Sequence, residues 1–330
     1  MALIGSLNSG ISALKNFARG LEVIGNNIAN VNSVAFKGST TRYTDSFSQF
    51  LSKPASSPSD GNGSNQAAAQ IGMGVEISGI QTKWLQGSVE QTGQTTDMAI
   101  SGDGFFQVRN VPDNTVFATR AGDFRTDDRS FLVSNDGYRL QGTTGGSASW
   151  DAGVDGDGNL VFTKTDIPPT GVGDLKIEYA PSFANGLLTN STGGAFTDAE
   201  IEAAAPKMNS FTVAANGDIN ASLSSGDEIT LGRVLLMNVQ DPTALSREGA
   251  NLFSGFDAAG IIGSVNMSEA SNTAGTNGLG SIRSGTLELS NVDLTEEFAN
   301  LITTQRSFQA ASRIITVSDD VLEAGSYTHL

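Results

Sequence analysis

The sequence predicts an α+β chain, mainly β, with an antiparallel β-rich body and long coiled-coil-like α-helices at its N- and C-terminal ends. Three observations lead there. Apolar residues near both ends recur every three or four positions, the middle alternates in short runs, and 39 glycines stand against 8 prolines in 330 residues. Recurrence every three or four residues is the mark of a helix face, whereas alternation between turn residues marks strands.

At the N-terminal end Ile4, Leu7, Ile11, Leu14, Ala18 and Leu21, then Ile28, follow a 3-4-3-4 spacing that Gly25 interrupts. That is a heptad stripe. Asn26, Asn27 and Asn30 follow. Asparagine tolerates left-handed backbone and bonds to nearby main chain, so the run suits the end of the helix and the turn after it. Residues 52–72 are rich in Ser, Pro, Gly, Asn and Ala, the composition of a linker or stiffening stretch.

From Gly74 to about Leu140 the chain reads as short strands. Examples are Val75-Glu76-Ile77, Met98-Ala99-Ile100, Phe105 to Val108 and Phe131-Leu132-Val133, with Asp103-Gly104 and Asp136-Gly137 as hairpin-type turns. The texture returns at Phe211-Thr212-Val213, at Asn216 to Ile219 and over 232–239. Residues 143–208, with Gly145-Gly146, Pro168-Pro169 and a short helix near Thr197–Ala205, read as a loop-rich outer insertion. The expected domains are therefore 1–51 with 286–330, a β-rich core of 73–142 with 209–285, the insertion 143–208 and the linker 52–72.

The last forty residues place Leu294, Phe298, Leu301, Phe308, Ile315 and Leu322 on a heptad frame that Gln305, Ser312 and Asp319 interrupt. Asp293 with Glu296 three residues on suits a capping box, and Gly325 suits a stop. Such helices can be ordinary core-packing elements. A lone amphipathic helix buries nothing, however, so the two ends must meet each other or another copy.

Composition bounds the chemistry. There is no cysteine and His329 is the single histidine, which removes disulfides, thiolate ligands, histidine triads and multi-His zinc sites. The net charge is −16, which repels a phosphate backbone and argues against nucleic acid. The charge is uneven: residues 1–51 carry a net +2 and residues 291–330 a net −4. No run approaches the roughly 20 apolar residues of a membrane span. The first residues lack a basic n-region and a continuous apolar stretch, so no cleaved signal peptide is expected.

Candidate sites fare poorly. Asp155-Gly156-Asp157-Gly158-Asn159 starts like a calcium loop, but Leu160 stands where Gly is needed and Asp166 where a bidentate Glu belongs, so a turn-rich hairpin is the reading. Gly72-Met73-Gly74 lacks the third glycine of a dinucleotide loop, and neither a phosphate loop nor a nucleophile elbow occurs. The acid pairs Asp127-Asp128 and Glu296-Glu297 read as solvated; a glycosidase, the enzyme alternative, would need two acids close in space. A secreted acidic adhesin is the remaining non-enzyme alternative.

Four blocks then resemble one family. Gly25 to Asn30 followed by Phe36-Lys37-Gly38 resembles the N-terminal signature of flagellar rod and hook proteins. Asp97 to Ile100 with Gly102 to Phe106 is similar to the family's entry into its β domain, and Thr119-Arg120-Ala121-Gly122-Asp123-Phe124 to the motif that follows. Ser290 to Leu294, Glu297 and Gln305 to Gln309 resemble the C-terminal helix signature.

The resemblance implies a non-enzymatic structural subunit that needs no cofactor. It would leave the cell through the flagellum's own export machinery and polymerise with itself into a helical tube. Its neighbours would be the adjacent axial proteins: rod, hook cap and hook-filament junction. It implies an inner tube of paired terminal helices with β domains outside. The assembly residues it points to are Ile4, Leu7, Ile11, Leu14, Leu21, Asn26, Asn27, Ile28, Asn30, Phe36, Leu294, Phe298, Leu301, Gln305, Arg306, Phe308 and Ile315. For the Asn run, simple capping and direct bonding between subunits both stay open. The size of the 143–208 insertion points to the hook, which transmits torque from rod to filament; the stretch 52–72 points to the distal rod as the alternative. The ending Glu323 to Leu330 departs from the Leu-rich turn of the family, and Gly325 costs about 1 kcal/mol in a helix relative to Ala, so a remodelled last turn is expected.

Overall fold

The computed structural model describes residues 2–54, 65, 67–154, 160–179, 182–183, 206–262 and 269–327. The chain divides into two compact units: residues 1–32, 37–85 and 291–330 in one, 33–36 and 86–290 in the other.

The first unit is built on two long helices, α1 (Ala2–Ala29) and α2 (Leu294–Tyr327). α1 ends at the asparagine run: the Asn30 side-chain amide donates to the Asn26 carbonyl at 2.9 Å and to the Asn26 side-chain oxygen at 2.9 Å. The Asn26 carbonyl also accepts the Asn30 N–H at 3.2 Å, so the side-chain amide adds a second bond at the helix end. α2 starts at Asp293, whose carboxylate accepts the N–H groups of Thr295 at 2.8 Å and Glu296 at 3.4 Å. These backbone N–H groups hold the Asp293 carboxyl below its ordinary range. The Glu296 side chain turns to Lys83 at 3.3 Å. Gly325 does not stop α2, which continues to Tyr327; residues 328–330 lie outside the described residues. One glycine costs too little to end a helix of 34 residues.

Among the described residues four strands complete this unit: β1 (Ser39–Asp45), β2 (Ser48–Ser52), β3 (Ala69–Gly72) and β4 (Val75–Thr82). β1 pairs with β4 and β2 with β3, both antiparallel. Ser46 N–H donates to Gly74 O and Met73 N–H to Phe47 O, each at 2.8 Å, so from Tyr43↔Ile77 to Phe50↔Gln70 the two ladders form one unbroken ribbon. The stretch 52–72, expected to be a linker, thus contributes strand at both ends; 55–64 and 66 lie outside the described residues. The strand Val75-Glu76-Ile77, assigned from sequence to the β core, belongs to the ribbon because α1 covers it. Asn16 Nδ2 donates to Val75 O at 2.6 Å, and the Phe17 and Tyr43 rings meet edge to face at 5.6 Å.

A polar knot closes the root of the ribbon. The Asn291 side chain accepts the Gly38 N–H at 2.8 Å and donates to Lys83 O and Leu85 O at 2.7 and 2.8 Å, while Lys37 Nζ, fully buried, donates to Leu85 O at 2.9 Å. Three distant segments meet at one amide.

The second unit is an antiparallel sheet. Its main path runs through 208–213, 218–223, 228–234, 139–144, 105–109, 116–119, 252–254 and 246–249. Alternating strand residues supply a core of Met98, Ile100, Phe106, Leu140, Ile219, Leu231 and Leu236, with Phe106 edge to face on Phe124 at 5.4 Å. Asp136-Gly137 turns between 132–134 and 139–144, with Gly137 at φ 86. Asp103-Gly104 does not make a hairpin: 98–101 pairs with 281–284 instead. The Asp103 carbonyl accepts the Gly280 N–H at 2.7 Å, which carries the turn to a different strand.

Within 143–208 the loop-rich expectation gives way to a hairpin. Residues 147–154 pair antiparallel with 160–167 over eight positions. The calcium-like residues 155–159 and the helix expected near Thr197–Ala205 lie outside the described residues. Segment 33–36 is threaded into this unit: Ala35 N–H donates to Glu288 O at 2.8 Å, and Asn251 Nδ2 donates to Val34 O at 2.7 Å.

Two charged clusters tie the sheet. Glu288, fully buried, accepts from Arg120 at 3.4 Å and from the Gly87 N–H at 2.9 Å, and Arg120 also reaches Gly102 O at 2.8 Å. Asp174 takes Arg109 at 2.7 Å, Arg139 at 3.0 Å and Gln141 at 2.6 Å. The motif Thr119 to Phe124 acquires its physical sense here. Arg120 is the buried cation, and Gly122 lies so close to Met98 O that no side chain fits.

Candidate functional site

The candidate site is the pair α1–α2. The helices run antiparallel, and four contacts set their register. Ser6 Oγ lies 3.4 Å from Ser318 Oγ, a Cβ on Gly10 would stand 3.0 Å from Ile315, a Cβ on Gly20 would stand 3.7 Å from Thr304, and Asn27 Nδ2 donates to Glu297 Oε1 at 3.1 Å. Each step forward on α1 matches an equal step back on α2, as two straight antiparallel helices require.

The seam sets small and polar residues of α1 against a mixed face of α2 that includes Ile315. Among the described side chains, Gly10, Gly20 and Asn27 are the buried positions of α1 that face α2, and Glu297, Ala311 and Ser318 are the buried positions of α2. Residues spaced in this 3-4 rhythm let backbones approach closely, and that packing offsets the roughly 1 kcal/mol each glycine costs inside a helix.

The leucine stripe read from sequence is a different face. Leu7, Leu14, Leu21 and Ile28 are half-buried and Ile11 is 55% exposed. At 100° per residue they lie roughly a quarter turn from Ser6, Gly10 and Gly20. Ile4 is on α1, and its side chain lies outside the described residues.

On α2, Leu301, Phe308 and Ile315 are half-buried along the seam, whereas Leu294, Phe298 and Leu322 are exposed, Phe298 by 50%. Gln305 and Arg306 are exposed too. The frame drawn through Leu294 and Phe298 therefore does not close within the chain. Phe36 falls elsewhere: it is buried in the second unit, with the Arg247 guanidinium 5.2 Å from its ring centroid.

The asparagines split by role. Asn26 and Asn30 cap α1. Asn27 is buried, exchanges two hydrogen bonds with the Ser39 backbone at 2.8 and 3.0 Å, and donates to Glu297. It joins α1, β1 and α2. Burial pushes the Glu297 carboxyl above its usual range, against the Asn27 hydrogen bond that lowers it. Glu297 is thus not a solvated partner of Glu296, as its place in an acid pair suggested. A cavity of about 180 Å³ beside it is lined by Gly20, Val23, Thr41, Tyr43 and Thr304.

Sequence reasoning missed the small-residue seam, and its signal was there: Ser6, Gly10, Ala13 and Gly20 keep heptad rhythm, with Phe17 the one bulky side chain in that frame. It also missed that Arg120 and Glu288 form one buried pair. Among the described residues no group of three or more His, Asp or Glu side chains could hold a metal ion.

Comparison with known proteins then decides the family. The description "Flagella basal body rod protein" matches residues 7–37, "Flagellar hook protein FlgE/F/G D1 domain" residues 99–221, and "Flagellar basal body rod FlgEFG protein C-terminal" residues 283–326. The flagellar basal-body rod protein FlgG of Bacillus subtilis is 32% identical over 321 residues, covering 97% of each chain. The chain belongs to the flagellar rod and hook protein family.

Both branches of the family are represented among its relatives. The flagellar hook protein FlgE of Borreliella burgdorferi is 27% identical over 448 residues, covering 97% of this chain and 98% of its own. The basal-body rod protein FlgG of the same organism is 27% identical over 303 residues, covering 92% and 90%. Rod and hook proteins are structural parts of the flagellum, and the three matched stretches cover most of α1 with the turn after it, much of the sheet unit, and α2 with the strand before it. Among the described residues no helix is long and apolar enough to cross a membrane.

Proposed function

We propose that this chain is a non-enzymatic, self-assembling subunit of the flagellar hook, joining copies of itself into a helical tube. The observation that carries the proposal is the mismatch on α1 and α2. The helices close on each other through small residues and leave Ile11, Leu294, Phe298 and Ile302 exposed. Exposed apolar faces on paired helices are what further copies would cover, and contacts that do not close on themselves generate a filament. The axial neighbours and the flagellar export machinery are its remaining partners in this reading.

The hairpin 147–167 on the sheet unit supports the hook. A distal rod subunit is the second reading, favoured by the 32% identity to FlgG. Electron microscopy of basal structures from a strain lacking the protein tests both. A missing hook on an intact rod supports the first reading; a truncated rod supports the second.

A further inference from the structure

The ribbon has two halves, and α1 serves only one of them. Because the ladder is unbroken from Tyr43↔Ile77 to Phe50↔Gln70, strand alternation puts Tyr43, Asp45, Phe47 and Gln49 of one strand and Ile77, Val75, Met73 and Ile71 of the other on a single face, apolar but for Asp45 and Gln49. The near half of that face lies under α1, where Phe17 meets Tyr43 and Asn16 meets Val75. The far half continues the same apolar surface, with Phe47 83% and Ile71 57% exposed and Met73 beside them. Where the halves join, a groove of about 330 Å³ is lined by Lys15 and Arg19 of α1 together with Ser46 and Glu76. The face therefore calls for an element with one apolar stripe and an acidic end.

The last third of α2 has that character. Ile314, Val317 and Val321 fall on one helical face at i, i+3 and i+7, and all three are exposed. The last two turns carry Asp319, Asp320 and Glu323 and no base after Arg313. The other exposed stripe of α2, at Leu294, Phe298 and Ile302, has no such acidic flank, since Glu297 is buried at Asn27 and Glu296 is drawn to Lys83. The chain's own α2 is held on the small-residue seam by Ser6–Ser318 and Asn27–Glu297.

We infer that the far half of the ribbon face receives the C-terminal third of α2 from a second copy, with Ile314, Val317 and Val321 against Phe47, Ile71 and Met73 and the acidic end beside Lys15 and Arg19. The inference rests on the assembly reading above and names which surfaces meet. The near half is an interface already formed within the chain, and the second copy extends it by the same chemistry.

The absence of cysteine makes the test clean. Two full-length chains, one Ile71→Cys and one Val317→Cys, are mixed, polymerised and oxidised. The expected product is a disulfide-linked heterodimer, several-fold more abundant than from the control pair Ile71→Cys with Phe298→Cys. Polymers that give no heterodimer, or that favour the Phe298→Cys partner, overturn the inference and leave the assembly reading standing. Failure of the unmodified chain to polymerise overturns both. As a second measurement, Lys15→Glu with Arg19→Glu should raise the concentration needed for polymerisation about three- to tenfold. Adding Asp319→Lys and Asp320→Lys should restore it, and no restoration counts against the pairing. All of these positions are exposed, so none of the changes strikes the core.

Discussion

Asn27 on α1 donates to the buried carboxylate of Glu297 on α2 at 3.1 Å, and the same asparagine holds the backbone of Ser39. An uncharged amide thus faces an acid that burial has pushed above its ordinary range. An acid whose folded value is raised binds its proton more tightly in the folded state. Its contribution to stability is present below the ordinary carboxylate range and is lost as pH rises through the raised value. The helix pair should therefore weaken as pH climbs from the acid side. Glu297→Gln keeps an acceptor for Asn27 and removes the titration, so thermal unfolding followed by helical circular dichroism should become flatter in pH. An unchanged pH slope would show that Glu297 does not govern it.

Asp174 should behave in the opposite sense. Burial alone would raise its carboxyl, but hydrogen bonds from Arg109, Gln141 and Arg139 outweigh burial and hold it below its ordinary range. Its stabilisation is present above that range and is lost as pH falls through the lowered value. Asp174→Asn should cost about 1.5–3 kcal/mol at neutral pH, the worth of charged hydrogen bonds. Chemical denaturation of the full chain would read it, and a cost below about 0.5 kcal/mol would contradict the cluster's role.

Gly20 and Tyr43 should be coupled. A Cβ at Gly20 would overlap the Tyr43 hydroxyl, so Gly20→Ala should destabilise the helical unit by about 1–3 kcal/mol. Tyr43→Phe removes the obstructing oxygen. The double variant should recover most of the loss, and a strictly additive cycle would place the cost elsewhere.

The outward stripes should matter for assembly more than for folding. Ile11→Asp and Phe298→Asp alter exposed positions, so the monomer's circular dichroism should hardly change while polymerisation falls sharply. Normal filaments from both variants would remove these faces from the assembly surface.

Deleting the hairpin is the test of its outer role. Replacing residues 149–165 by a short Gly-Ser connector removes most of the hairpin and keeps the main sheet path, Asp174 and the buried Leu175 in place. Tubes should still form in a complemented null strain but should appear straighter or differently curved by microscopy. A folded variant that cannot polymerise would put the hairpin inside the assembly interface.

Both long helices and the β-rich middle were legible because periodicity reports the local geometry of helix and strand directly. Leu7, Leu14 and Leu21 mark a helix wherever its partner lies. What periodicity could not say is which face meets which partner. It drew attention to the leucines, while the chain's own seam runs through Gly10, Gly20 and Asn27, residues that hydrophobicity does not count. The Asp103-Gly104 turn misled for a related reason. Local chemistry fixes a change of direction, but the pairing of 98–101 with 281–284 is decided by contacts far along the chain. The Arg120–Glu288 pair shares that difficulty, since its members are separated by 168 residues.

The hydrogen bond from Ala35 N–H to Glu288 O bears on the order in which the chain can fold. Ser6 and Ser318 are 312 residues apart, a long loop to close for contacts that bury mostly small side chains. Once the sheet unit has formed, Ala35 and Glu288 sit within one hydrogen bond, and each lies only a few residues from the root of a long helix. The search then shrinks from hundreds of residues to a short hinge at each side. That hydrogen bond therefore shortens the effective loop that the Ser6–Ser318 pairing has to close.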